Sequence, residues 1–290
     1  MAAQDILITS RPLDEYCALF GLTRARLAAL TGPVLDCPGG AAGLAAEARA
    51  LGCHVIATDP AYALPHEVLA ARAVAGRDAM AAAMHRTPQH FQRPRDLPYD
   101  RYLRSWDRAR QLFAADTAQH PEAYVAAALP RLPFAAGTFA LTLSSFLLFA
   151  YPQSFTPAQQ LAALLELARV TAPDGEVRIH PLHDGTGRRS PRLDGLRHAL
   201  GAHRVASEIR SFPRPGDGRT RRVLVLRSAG HRRRRADSVS AHGELSAHGE
   251  FGTHGAFGTH GDIHGHGHRP PLRGVRRPPT AGDSGCPQHP

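Results

Sequence analysis

The chain contains no lysine; its 35 basic residues are all arginine. That imbalance reads as a bias of codon usage towards GC-rich DNA rather than as a physical requirement. The net charge of +10 is not gathered in one stripe. Up to residue 229, 27 arginines face 20 acids, and beyond it 8 face 5. Spread arginine lacks the clustered patch that marks a nucleic-acid surface, so nucleic acid is not the expected partner. Cysteine is scarce: Cys17, Cys37, Cys53 and Cys286 are the only four. None forms a C-x-x-C pair, which argues against a zinc site or a redox dithiol, and no metal is expected. The first residues, MAAQDILITSRPLDEY, lack the basic start and apolar core of a signal peptide. No apolar run approaches the roughly 18 residues of a membrane span. The longest, Phe139 to Tyr151, is interrupted by Thr and Ser. A soluble cytoplasmic protein with no membrane contact is expected.

Hydrophobic residues make up 43% of the chain, but they thin out after about Ser228. Residues 1–229 are therefore expected to form one domain, a normal size for a single α/β sheet. Residues 230–290 read as a disordered Gly/His/Arg-rich tail, too poor in apolar residues to offset the entropy of ordering. From Ser240 the tail repeats every six residues, with His242, His248, His254, His260 and His266 in register. Expansion of a short DNA repeat accounts for it, and weak divalent-metal binding is the alternative. Arg232–Arg235 read as a solvated linker.

Within the domain, Pro12–Phe20 and Thr23–Leu30 read as helices, with Thr23 as an N-cap. Val34–Cys37 is a short buried strand, Ala41–Leu51 an alanine-rich helix, and His54–Thr58 a second buried strand. Strand, glycine turn, helix and strand within 30 residues make a right-handed βαβ unit. Residues 61–121 interrupt the rhythm with helical pieces at 66–77 and 102–116, and read as a cap inserted over the site. Tyr124–Leu129 is a weak strand and Phe139–Ser145 a strong one. A helix over 157–171, a turn at Pro173-Asp174-Gly175 and a strand over Glu176–Pro181 follow. After a helix over 193–200, strands at 205–212 and 221–227 flank PRPGDG and form an antiparallel hairpin. The expected fold is an α/β, Rossmann-like three-layer sandwich whose mostly parallel seven-stranded sheet has an antiparallel last strand.

A cofactor with an adenosine half needs a tight glycine turn, a helix N-terminus facing the ligand, and a carboxylate one βα unit later for the ribose hydroxyls. Gly39-Gly40 offers the turn, Ala41 opens the helix, and Asp59 stands 19 residues after Gly40, directly after a strand. Read from Pro38, the turn is P-x-G-x-x-G, near a dinucleotide fingerprint; read from Asp36, it is D-x-P-G-G. A carboxylate inside the first turn opposes a pyrophosphate. It suits S-adenosylmethionine, which carries a sulfonium and an ammonium and no phosphate.

Four motifs then carry a resemblance: VLDCPGG, TDP, LPRLPFAAGTFALTLSSFLLF and LLELARVTAPDGEVRI. Across roughly residues 30–228 the chain resembles a class I S-adenosylmethionine-dependent methyltransferase. The resemblance implies S-adenosylmethionine as cofactor and places Asp36, Pro38, Gly39, Gly40, Asp59 and Pro60 against it. It implies that Ser144, Ser145 and Phe146, after the fourth strand, contact cofactor or acceptor. His183, after the fifth strand beside His180 and Asp184, is the candidate catalytic base. Trp106, Tyr99 and Tyr102 are candidates for an acceptor pocket, and Tyr16 for covering the methionine end. No D/N-P-P-Y pattern is present, which disfavours amino-methylation of DNA bases or glutamine, and a small-molecule methyl acceptor is expected. The chain departs from the family at Pro38 and Ala42, which replace glycines, and at Ala136 and Ala140, which replace acids. Ala126-Ala127 lies where an adenine-contacting Asp often stands. A degenerate, non-catalytic protein of the same fold that binds a ligand or partner is the alternative, and a nicotinamide-dependent oxidoreductase a more distant one.

Overall fold

A computed structural model describes residues 6–86, 98–184, 186–213 and 220–228. The histidine repeats, Arg232–Arg235, Cys286, most of the Pro/Arg-rich stretch before Tyr99 and the PRPGDG turn after Pro213 lie outside the described residues. Two helices, α1 (Leu13–Phe20) and α2 (Arg24–Ala28), precede the sheet. Thr23 caps α2 by accepting from the Arg26 N–H, as its position implied. Strand β1 (Val34–Asp36), helix α3 (Leu44–Arg49) and strand β2 (Val55–Thr58) form the βαβ unit. Helices α4 (His66–Arg86) and α5 (Tyr99–Gln119) follow, then β3 (Tyr124–Val125) and β4 (Phe139–Ser145). Helix α6 (Pro157–Val170), β5 (Thr171–His180), α7 (Leu193–Ala202), β6 (Val205–Pro213) and β7 (Thr220–Ser228) complete the described chain.

The sheet has seven strands in the order β3-β2-β1-β4-β5-β7-β6. The pairs among β1 to β5 are all parallel, and β7 runs antiparallel between β5 and β6. This is the Rossmann-like sheet that the motifs implied. Alternating side chains split between its two faces. Leu224 and Leu226 pack with Leu164, Leu167, Leu193 and Leu196 of α6 and α7. Val223 and Val225 pack on the other face with Leu13, Phe20, Leu27 and Leu44 of α1, α2 and α3. Pro173-Asp174-Gly175 does not separate α6 from a shorter strand. It is a bulge inside β5, whose pairing jumps from Thr171 opposite Phe139 to Glu176 opposite Leu141.

Two elements differ from expectation. Helix α3 starts at Leu44 and not at Ala41. The Ala41 N–H donates to the Thr9 carbonyl at 2.9 Å and the Gly43 N–H to the Arg11 carbonyl at 3.0 Å. These bonds to an extended N-terminal segment replace the first helical turn. The strand expected over 124–129 stops at Val125, after which Ala127, Ala128 and Leu129 turn aside to wall a cavity. The cap helices are longer than the periodicity indicated, at 21 residues each. Helix α5 is tied down through Asp116, which takes Arg49 of α3 at 3.2 Å and the Tyr124 hydroxyl at 2.7 Å.

Candidate functional site

In an open α/β sheet, ligands collect at the carboxyl ends of the strands where the strand order reverses. Here the reversal falls at β1, which has β2 on one side and β4 on the other. A cavity of ≈ 1490 Å³ opens there. Its walls take Cys37 and Pro38 from the end of β1, Thr58 and Asp59 from β2, Ser145 and Phe146 from β4, and His180 and Pro181 from β5. Met80 and Met84 of α4 and Tyr102, Trp106 and Leu112 of α5 also line it.

The glycine turn is built around Asp59. Its Oδ2 accepts from the Gly40 N–H at 3.0 Å and its Oδ1 from the Ala61 N–H at 2.9 Å. Gly40 has φ 56 and its carbonyl accepts from the Tyr62 hydroxyl at 2.8 Å, so a side chain is disfavoured there on conformational grounds. A Cβ at Gly40 would also stand 2.9 Å from the Thr9 carbonyl oxygen. The Gly39 N–H donates to the Thr58 carbonyl at 2.9 Å. Burial raises the Asp59 carboxyl pKa, and the two backbone N–H groups oppose that rise. Each carboxylate oxygen has a second lone pair for a ligand donor.

Asp36 is buried beneath this turn, at 1% exposure. Its Oδ2 accepts from the Tyr16 hydroxyl at 2.8 Å, while Oδ1 has no partner among the described residues. Burial pushes its carboxyl up to about 8; the Tyr16 hydrogen bond opposes this, nearby Asp59 adds to it, and Arg11 opposes it more weakly. Tyr16 itself is fully buried and its pKa raised, first by burial and then by Asp36.

Opposite the glycine turn, a charged cluster joins the N-terminal segment to the cap. Arg11, 3% exposed, pairs with Glu15 at 3.0 Å and bonds Thr9. Glu15 also accepts from the Tyr102 hydroxyl at 3.0 Å and from Trp106 Nε1 at 2.9 Å. The Arg11 guanidinium lies 3.8 Å from the Phe146 ring centroid and 5.0 Å from that of Trp106. Phe146 holds φ 51, a left-handed conformation that costs a bulky residue about 1–3 kcal/mol. Its N–H donates to the His180 carbonyl at 2.8 Å. Strain of this kind clusters where a ring must be aimed.

Of the residues singled out from sequence, Pro38, Gly40, Asp59, Pro60, Ser145 and His183 line the cavity, as do Tyr102 and Trp106. Asp36, Gly39 and Ser144 lie behind its wall. Tyr99 stands away from it, donating to the Met84 carbonyl at 3.1 Å and stacking on His85. Tyr16 supports Asp36 from below and is not itself a wall. Phe146, which follows Ser144 and Ser145 in the fourth-strand motif, also lines the cavity, whereas Arg11 and Glu15 carried no motif. Arg11 and Glu15 show only an i,i+4 charge pairing, which most often marks a solvated helix face. Among the described residues no group of three or more potential metal ligands is assembled, and no helix is long and apolar enough to cross a membrane.

No family model matches this chain, and no curated protein matches it. Solved structures similar to it include the 1,6-didemethyltoxoflavin-N1-methyltransferase of Burkholderia thailandensis, with bound 1,6-didemethyltoxoflavin and S-adenosylhomocysteine. The identity is 20%, over 71% of this chain and 76% of that one, with a TM-score of 0.38. A TehB-like S-adenosylmethionine-dependent methyltransferase from Corynebacterium glutamicum is 16% identical over 74% and 93%, with a TM-score of 0.36. The glycopeptide N-methyltransferase MtfA complexed with sinefungin is 14% identical over 74% and 90%, with a TM-score of 0.37.

Proposed function

We propose that this protein transfers a methyl group from S-adenosylmethionine to a small-molecule acceptor held in the cavity. The observation that carries the reading is Asp59, a carboxylate fixed at the end of β2 by the Gly40 and Ala61 N–H groups and open to the cavity. That arrangement suits two ribose hydroxyls. The donor set also fits a cationic, phosphate-free cofactor. Residues 36–43 contribute no basic side chain that would pair with a phosphate. The Ala41 and Gly43 amides, already bonded to Thr9 and Arg11, offer little to a pyrophosphate. Pockets of roughly 300–1,000 Å³ hold one drug-sized ligand, so a cavity of ≈ 1490 Å³ has room for cofactor and acceptor together.

S-adenosylmethionine supplies an activated methyl when bound. The chain's own work is to hold the acceptor in line with it and to keep water out, which is the larger part of such catalysis. His183 is the residue for a proton released by the acceptor. Its Nδ1 lies 2.9 Å from the Asp184 carbonyl, so Nδ1 carries the hydrogen and Nε2 the lone pair. The test is calorimetric. S-adenosylhomocysteine is expected to bind and NAD is not, and Asp59→Ala is expected to weaken S-adenosylhomocysteine at least about tenfold, the cost of losing hydrogen bonds to a charged group. Unchanged affinity in that variant sinks the site assignment. Binding of neither compound by the wild-type protein favours the non-catalytic reading.

A further inference from the structure

The last residue of β5 has a nitrogen that meets no partner among the described residues. His180 is 6% exposed and in the cavity wall. Its Nδ1 lies 3.2 Å from the Arg222 carbonyl oxygen. A carbonyl has no proton to give, so Nδ1 must be the protonated nitrogen and Nε2 the bare lone pair. No donor reaches Nε2 among the described residues. Nor is Nε2 sealed in, since it is absent from the fully buried, unpartnered polar atoms. Phe20, Phe146 and His183 meet the imidazole edge-on, with ring centroids 6.4, 5.8 and 6.3 Å away. Burial first, and then Arg221, push its pKa down to about 3, so the ring is neutral at working pH and accepts without keeping a proton.

We propose that His180 orients the small-molecule substrate: its Nε2 accepts a hydrogen bond from an O–H or ring N–H on a flat aromatic ligand, a phenol or an N–H heteroaromatic. The class follows from the surroundings. The nitrogen is an acceptor only, so it selects a donor and rejects a carbonyl or ether at the same place. Phe146 and His183 stand edge-on beside it, Leu129 and Leu147 are also in the cavity wall, and the nearby charge is cationic, with the Arg11 guanidinium on the Phe146 ring and Arg221 in the same wall; a flat π system complements rings and guanidinium groups better than a polar chain does. Calling that ligand the methyl acceptor rests on the methyltransferase reading; the binding claim rests on His180 and the cavity alone. His180 is thus a positioning residue distinct from His183.

The test uses two probes of one shape, 2-naphthol and 2-methoxynaphthalene, titrated into the full chain with and without S-adenosylhomocysteine. 2-Naphthol is expected to bind at least about tenfold more tightly, because a site built to accept a hydrogen bond penalises the ligand that lacks the donor. His180→Phe keeps a ring in place but has no lone pair, and is expected to reduce the preference to within about twofold. On the wild-type protein labelled with nitrogen-15 histidine, the His180 Nε2 resonance is expected in the lone-pair range. It should move on adding 2-naphthol and stay put with 2-methoxynaphthalene. This readout decides the matter if the variant does not fold. Equal affinities, a preference that survives His180→Phe, a motionless Nε2 resonance, or no 2-naphthol binding up to its solubility each overturn the proposal. A protein that discriminates the probes but does not bind S-adenosylhomocysteine keeps this inference and loses the methyltransferase one.

Discussion

Asp36 ends β1 buried, with the Tyr16 hydroxyl bonded to its Oδ2 at 2.8 Å. As a carboxylate in the first turn it argues for a cationic ligand, yet the cavity wall stops one residue short of it and burial holds its proton on to about 8. The unfolded chain releases that proton near pH 4, the usual aspartate value. Between about pH 4 and pH 8 the folded state therefore binds more protons than the unfolded one, and the Asp36 contribution to stability falls as pH rises through that window. Asp36→Asn has no such dependence and can still accept the Tyr16 hydroxyl. We expect it to be more stable than the wild type by a few kcal/mol at pH 8, since a tenfold change in proton affinity is worth about 1.4 kcal/mol. The advantage should shrink towards pH 5. Urea titrations of both proteins at the two pH values check this, and a gap that does not change with pH would mean that Asp36 is ionised throughout. At this scale the sequence made half of the site readable. Asp59, Gly40 and Pro38 could be found because their roles depend on short spacings along one βαβ unit. Arg11 and Glu15 could not, because Glu15 meets Trp106 across 91 positions and nothing local records it.

Between elements, the N-terminal segment does most to reshape the site. Its carbonyls at Thr9 and Arg11 take the amides that a longer α3 would have presented to a ligand. The segment can lie so low because α4 carries Gly76 where it crosses; a Cβ there would collide with the Ile8 carbonyl oxygen. Helix propensity and packing thus predict opposite signs for Gly76→Ala. Propensity alone favours alanine by about 1 kcal/mol in a helix interior. Overpacking against fixed backbone costs about 1–3 kcal/mol, and the collision is with backbone, so we expect net destabilisation. Hydrogen exchange should quicken at the Ala41 and Gly43 amides while β4 and β5 are unchanged. A stabilised variant with unaltered exchange would show that the segment is loosely held. Legibility among the elements followed the same physics. Phe139–Ser145 matched residue for residue, because a compact apolar run between turn residues has one solution in a buried strand. The start of α3 and the end of β3 were misread, because in both places contacts distant in sequence decide where the pattern stops.

Across the whole molecule, the sheet is closed by its hairpin. β7 sits between β5 and β6, and Val223, Leu224, Val225 and Leu226 are all buried to within 1%. Both faces of the core therefore depend on a strand that ends at Ser228. From this we propose 229 as the domain boundary. A chain ending at Ala229 is expected to keep its melting temperature to within about 2 °C, less than 1 kcal/mol for a domain of this size. A chain ending at Ser211 removes β7 and should not fold. The cavity draws on β1, β2, β4, β5, α4 and α5 at once, so a ligand filling it ties most of the domain together and stabilises it by mass action. At a hundredfold excess over its dissociation constant, S-adenosylhomocysteine should add about 2.7 kcal/mol. That is a rise of several degrees in melting temperature, equal for the full chain and the chain ending at Ala229. Scanning calorimetry of both with and without the ligand separates the two ideas. A lower melting temperature for the shorter chain without ligand moves the domain boundary, whereas a ligand shift seen only in the full chain means that residues beyond 229 reach the site.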